Sequence, residues 1–146
     1  MTRQEPVLAW RTWRLCINPE TDVVEPRLES CVYGDAWPER RAFWSYCPEH
    51  VKPESACSCG IYAVTTRKAA LEWAGWAQSA LPNPIVLGRI QLWGRVLPHS
   101  AGYRAELAYP YELGVLESER LSVANAGRLE RLLQAAYRVD ITERAA

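Results

Sequence analysis

The sequence has no excess charge of either sign, 17 Lys and Arg balancing 17 Asp and Glu. Such a chain lacks the bulk attraction to phosphate that drives non-specific nucleic-acid binding, so any role of that kind needs a local arginine patch. It also lacks long apolar runs. Nothing approaches the ~20 consecutive apolar residues of a bilayer-crossing helix, and no membrane partner is expected. Met1-Thr-Arg-Gln-Glu-Pro6 mixes charges, and no signal-like apolar stretch follows it. The expected location is therefore the cytoplasm, where thiols stay reduced. Repeats, low-complexity segments and linkers are missing too, so residues 1–146 read as a single domain. There is no G-x-S-x-G, no glycine-rich phosphate loop, no H-E-x-x-H, and no H-x-E ahead of P-C-x-x-C. Those absences remove the serine-hydrolase, P-loop, zincin and deaminase readings. With no recognisable catalytic set, the sequence leans away from an enzyme.

Phe and Met occur once each, whereas Trp and Tyr occur seven times each. Large rigid rings therefore carry much of the core and supply any binding surface. An apolar content of 49% argues against disorder. Lysine is scarce, and 15 of the 17 basic residues are Arg. Arg suits planar recognition of carboxylates, phosphates or base edges better than Lys does. A GC-rich coding sequence produces the same bias, so the count alone assigns no function.

Five cysteines, an odd number, argue against a disulfide framework. Four soft or borderline metal ligands fall within thirteen residues: Cys47 and His50 in Cys47-Pro-Glu-His50, then Cys57 and Cys59 in Cys57-Ser-Cys59-Gly60. Zinc takes thiolate and imidazole in a tetrahedral site, and four protein ligands make that site structural rather than catalytic. The two-residue gap between Cys47 and His50 lets one turn aim both side chains at a point. Cys57 and Cys59 are closer than the usual pair, and Gly60 supplies the backbone freedom that a tight turn needs. The alternatives are an inducible disulfide or unliganded thiols, and Cys31 or His99 are substitutes for one ligand. Cys16 and Cys31, inside strand patterns, read as buried apolar side chains. His99 reads as a solvated turn residue.

The expected order is strands, helix, hairpin, helix. Val7 to Ile17 and Leu28 to Tyr33 read as strands, Trp37-Pro38 as a loop, and Gly60 to Val64 as a short strand. Thr65 or Thr66 caps a helix over residues 67–79, with Leu71, Ala74, Ala77 and Leu81 inward and Trp73 and Trp76 widening that stripe. Ile85 to Leu97 is a long strand with kinks at Gly88 and Gly94. Tyr103 to Tyr109 returns from it and ends at Pro110. Ser122 to Tyr137 forms an amphipathic helix with Leu129, Leu132, Leu133 and Ala136 inward, and residues 139–141 an edge strand. This predicts an α+β domain: a mostly antiparallel curled sheet or small barrel with two helices and a zinc loop.

Gly60-Ile-Tyr-Ala-Val64, a helix, and then Ile85-Val-Leu-Gly-Arg-Ile-Gln-Leu-Trp-Gly-Arg-Val96 together resemble the PUA-like barrel group that includes ASCH and EVE domains. Tyr103-Arg-Ala-Glu-Leu-Ala-Tyr-Pro110 is similar to the aromatic strand that returns across those barrels. The chain as a whole resembles an uncharacterised bacterial family with the arrangement C-x-C-G-I-Y-A, L-W-G-R-V and G-Y-R-A-E. The PUA-like resemblance implies binding of RNA or of a flipped modified base on an aromatic pocket, and single-stranded DNA is a further candidate partner. Trp93, Arg95, Tyr103 and Arg104 are then the ligand-binding candidates. The plainer alternative is that these rings are barrel packing and the arginines pair with Glu106 and its neighbours. A competing function is a protein-interaction accessory factor using exposed Trp37, Trp44 and Trp76 as anchors.

Overall fold

Alternation in Val7–Ile17 sends Ala9, Trp13 and Leu15 to one face, where each is almost fully buried, while Leu8 on the other is 43% exposed. In the computed structural model, which describes residues 5–49 and 52–142, this segment is strand β1. The chain continues through β2 (Val24–Glu29), β3 (Phe43–Trp44), β4 (Ile61–Val64), α1 (Arg67–Ala80), β5 (Ile85–His99), β6 (Gly102–Val115), α2 (Val123–Tyr137) and β7 (Asp140–Ile141).

The seven strands form one sheet, antiparallel except for β7 beside β6. β5 pairs with β1 from Val7↔Leu92 to Arg14↔Ile85, and with β6 along nearly its whole length. The pairings β1–β5, β5–β6, β6–β4 and β4–β1 complete a circuit, but the last is the single pair Trp10↔Val64. The sheet is strongly curled and is not a continuous barrel. Register shifts in the β5–β6 ladder help to curl it. One lies between Trp93 and Val96 around Gly94, whose φ of 73° and closeness to Glu106 leave no room for a side chain. The other lies beside Pro110. Proline was expected to end the strand, yet β6 runs on to Val115, because a residue without an N–H is tolerated where the ladder is already irregular.

The edge of β6 away from β5 is tiled in turn by β4 at residues 102–105, β3 at 107–108 and β7 at 112–113. α2 closes the main core with Ala126, Leu129, Leu133 and Tyr137. Ser122 caps its start and Arg138, left-handed at φ 56°, its end. α1 lies on the other face, where the Thr12 hydroxyl donates to the Ala70 carbonyl and Ile85 packs with Ala74, Ala77 and Cys31. Its buried stripe is Ala70, Ala74 and Ala77, small residues that let the helix sit close. The larger Leu71, Trp73 and Trp76 are 40%, 49% and 48% exposed, which corrects their expected inward placement. Leu132 likewise faces out from α2.

The second strand is Val24–Glu29 rather than residues 28–33, because the chain turns at residues 31–33 and Gly34 is left-handed. Trp37, expected in an open loop, is 1% exposed. Its indole donates to the Ser30 hydroxyl, its edge meets Trp13, and Phe43 stacks on it at 4.3 Å. The Tyr137 hydroxyl donates to the Trp37 carbonyl and accepts from the Leu28 amide, joining α2 to the β2 end of the sheet.

Candidate metal centre and aromatic sheet face

β3 and β4 run along the same edge of β6 in the same direction. Trp44 is opposite Leu107, the Ser45 amide donates to the Glu106 carbonyl, and Ile61 is opposite Ala105. The chain thus leaves the sheet at residue 45 and rejoins it at 61 while β6 advances by one residue. The described residues between 46 and 60 form an excursion with adjoining ends. The cysteines lie in it.

Within that excursion the sulfurs of Cys47, Cys57 and Cys59 all fall within 4.8 Å of one another, each residue half-buried. Cys47 and Cys57 are 3.9 Å apart. Zn–S bonds of ~2.3 Å in tetrahedral array put sulfurs ~3.8 Å apart, so this trio already has nearly the spacing of metal ligands. No cysteine among the described residues is in a disulfide. The fourth sequence candidate, His50, lies outside the described residues. Neither Cys31 nor His99 joins the cluster. Cys31 is buried against α1, and burial pushes its thiol pKa up. His99 ends β5 and meets the Tyr62 ring edge-on at 4.8 Å.

Arg104 holds the excursion in place. Its guanidinium donates to the carbonyls of Cys59 and Glu54, both at 2.7 Å, and the residue is 7% exposed. The Glu54 carbonyl also accepts from the Cys57 amide, and the Tyr62 hydroxyl donates to the Ser58 carbonyl. Gly60, at φ 122°, sits where a side chain would press on Arg104 and Pro53. Arg104 is therefore committed to the cysteine segment.

The other ligand-binding candidates stand apart from one another. Tyr103 packs against the main core. Arg95 is exposed, with a loose 3.8 Å ion pair to Glu54. Trp93 faces outward from β5, directly opposite Leu107, which is itself opposite Trp44. A row Trp93–Leu107–Trp44 thus crosses three strands, with Trp44 59% exposed. Further along this face, Arg89 pairs with Glu112 and lies over the rings of Trp10 and Tyr111.

Two features had no signal in the sequence. The clamp by Arg104 joins residues 45 and 50 positions apart. Arg11, on the interior face of β1, donates to the Tyr62 carbonyl and Ser30 hydroxyl and lies 4.9 Å from the Trp37 ring. Burial lowers its pKa to about 10, and its Nε has no partner. No family model, curated protein or solved structure matches this chain.

Proposed function

We propose that the protein is a zinc-stabilised, non-enzymatic cytoplasmic module that binds nucleic acid or a modified base. The observation that carries the zinc part is the convergence of three thiols at close to tetrahedral spacing in a segment whose ends are already tied to β6. Cys47, Cys57 and Cys59 supply three ligands, and His50 is assigned as the fourth on its spacing from Cys47. Bound zinc would supply rigidity: its ligand bonds would offset the entropy lost in ordering the segment. The PUA-like comparison rests on the sequence pattern of residues 60–96 and 103–110. The outward row of Trp44, Leu107 and Trp93 supports stacking on unpaired bases.

Protein purified without chelator should carry about one zinc per chain by elemental analysis, and Cys57→Ser should carry far less. Wild-type protein free of zinc refutes the metal reading. Salt-dependent binding of single-stranded RNA or DNA is the expected ligand result. Flat titrations across modified and unmodified oligonucleotides refute it.

A second reading, a protein-interaction accessory factor, is favoured by one observation. Trp73 and Trp76 on α1 stand edge-to-face at 5.0 Å, each about half exposed, as paired anchors for a partner.

A further inference from the structure

A cleft of about 750 Å³ opens beside β3, away from the cysteine cluster. That volume is in the range of small-ligand sites, ~300–1,000 Å³. Trp44 gives it an exposed aromatic wall, part-buried Phe43 and buried Trp37 lie beneath, and Arg27, Arg41 and Glu39 give it charge. Trp37 is held rigidly between Phe43, stacked within 5° of parallel, and the Arg11 guanidinium. Trp44 contrasts with it, being 59% exposed and without a ring partner among the described residues.

The arginines differ in a similar way. Arg14, Arg89 and Arg95 are each paired with a glutamate. Arg27 and Arg41 have no ion pair among the described residues, and both are exposed into the cleft. Two guanidiniums against the single carboxylate of Glu39 leave the cleft positive within a neutral chain.

We infer that this cleft binds a nucleoside phosphate, its base stacked on Trp44 and its phosphate held by Arg41 and Arg27. A bare phosphate or carboxylate leaves the exposed indole idle, and an uncharged ring leaves two guanidiniums unmatched. A flat ring joined to a phosphate uses both: guanidinium forks match phosphate oxygens, and every base has a face to stack. Glu39 is placed to accept from an exocyclic amine or a ribose hydroxyl. The inference rests on the ligand class proposed above but moves its place, because Arg104 is spent on the cysteine segment. The same chemistry comes from a free mononucleotide or from an unpaired nucleotide of a single strand.

The test is calorimetric titration of the zinc-loaded full chain with uridine, UMP, AMP, inorganic phosphate and a 5′-phosphorylated octauridylate. The variants are Trp44→Ala, Arg41→Glu, Trp93→Ala and, as a matched charge control outside the cleft lining, Arg128→Glu on α2. Expected are binding of a nucleotide or the oligonucleotide, a loss of about tenfold or more in Trp44→Ala and in Arg41→Glu, and weaker binding of uridine and phosphate. Arg128→Glu should bind as wild type does. Comparable affinity for UMP and the oligonucleotide identifies a free nucleotide as the ligand, and much tighter oligonucleotide binding identifies a strand. Arg41 is exposed and lies outside β3, so its variant reports on the cleft even where Trp44→Ala disturbs β3. Binding lost in Trp93→Ala but kept in both cleft variants overturns the cleft and leaves the nucleic-acid reading standing. No binding of any nucleotide overturns both. Uridine binding as tightly as UMP overturns the phosphate assignment and the inference with it.

Discussion

Replacing Arg104 with alanine removes two charge-assisted hydrogen bonds of 2.7 Å, to the Cys59 and Glu54 carbonyls. Such bonds contribute ~1.5–3 kcal/mol each. The excursion they hold is half exposed, so water re-solvates the freed carbonyls in part and the net cost is about 2–3 kcal/mol. Where that cost appears depends on what opens. If the excursion unfolds with the domain, a protein of this length should melt about 6–10 °C lower. If the excursion opens alone, the cost falls on metal binding, and 2–3 kcal/mol is about a 30- to 150-fold loss of zinc affinity. Melting with and without added zinc, together with competition against a chromophoric chelator, separates the two. Arg104→Lys, a point charge without the planar fork, should recover less than half of the effect. An Arg104→Ala protein that melts like wild type and holds zinc as tightly refutes the clamp, and with it the account of why the three sulfurs are held together.

Trp37→Leu should cost about 2–4 kcal/mol, since it removes the stack with Phe43, the edge contact with Trp13 and the bond to Ser30. Urea unfolding should show a lower midpoint at unchanged slope. Burial raises the Tyr137 pKa to about 12, above the ~10 of an unfolded tyrosine. Its neutral form therefore favours the fold fully below pH 10, and that stability is lost as pH rises from 10 to 12. Tyr137→Phe should reduce this alkaline decline, leaving the part due to Tyr109, whose pKa burial also raises, and cost about 1–3 kcal/mol at neutral pH, because the buried Leu28 amide loses its acceptor. Denaturant titrations at stepped pH check both effects.

The long elements could be read from sequence because local chemistry specifies them. β1 alternates, β5 alternates through its middle after an apolar start, Thr66 and Ser122 cap their helices, and the proline pair after α1 stops it. The cysteine cluster was legible for the same reason: its three thiols are close in sequence. What failed depended on distant contacts. β3 is two residues long and exists because β6 offers it an edge. Pro110 survives inside β6 because a register shift falls beside it. Trp73 and Trp76 sit at helical spacing, but α1 meets the sheet through Ala70, Ala74 and Ala77, which leaves both rings about half exposed. Arg104 looked like a reader of ligands because its strand neighbours are aromatic; its real partners arrive from 45 and 50 residues earlier in the chain.

The excursion between β3 and β4 has a consequence for how this chain can vary. Since Ser45 and Ile61 occupy successive rungs beside β6, the sheet sees a single uninterrupted edge strand there. Whatever lies between those two residues is a cassette. It can lengthen, shorten or exchange its chemistry with no change in the pairing on either side, provided that Arg104 still finds two carbonyls to grip.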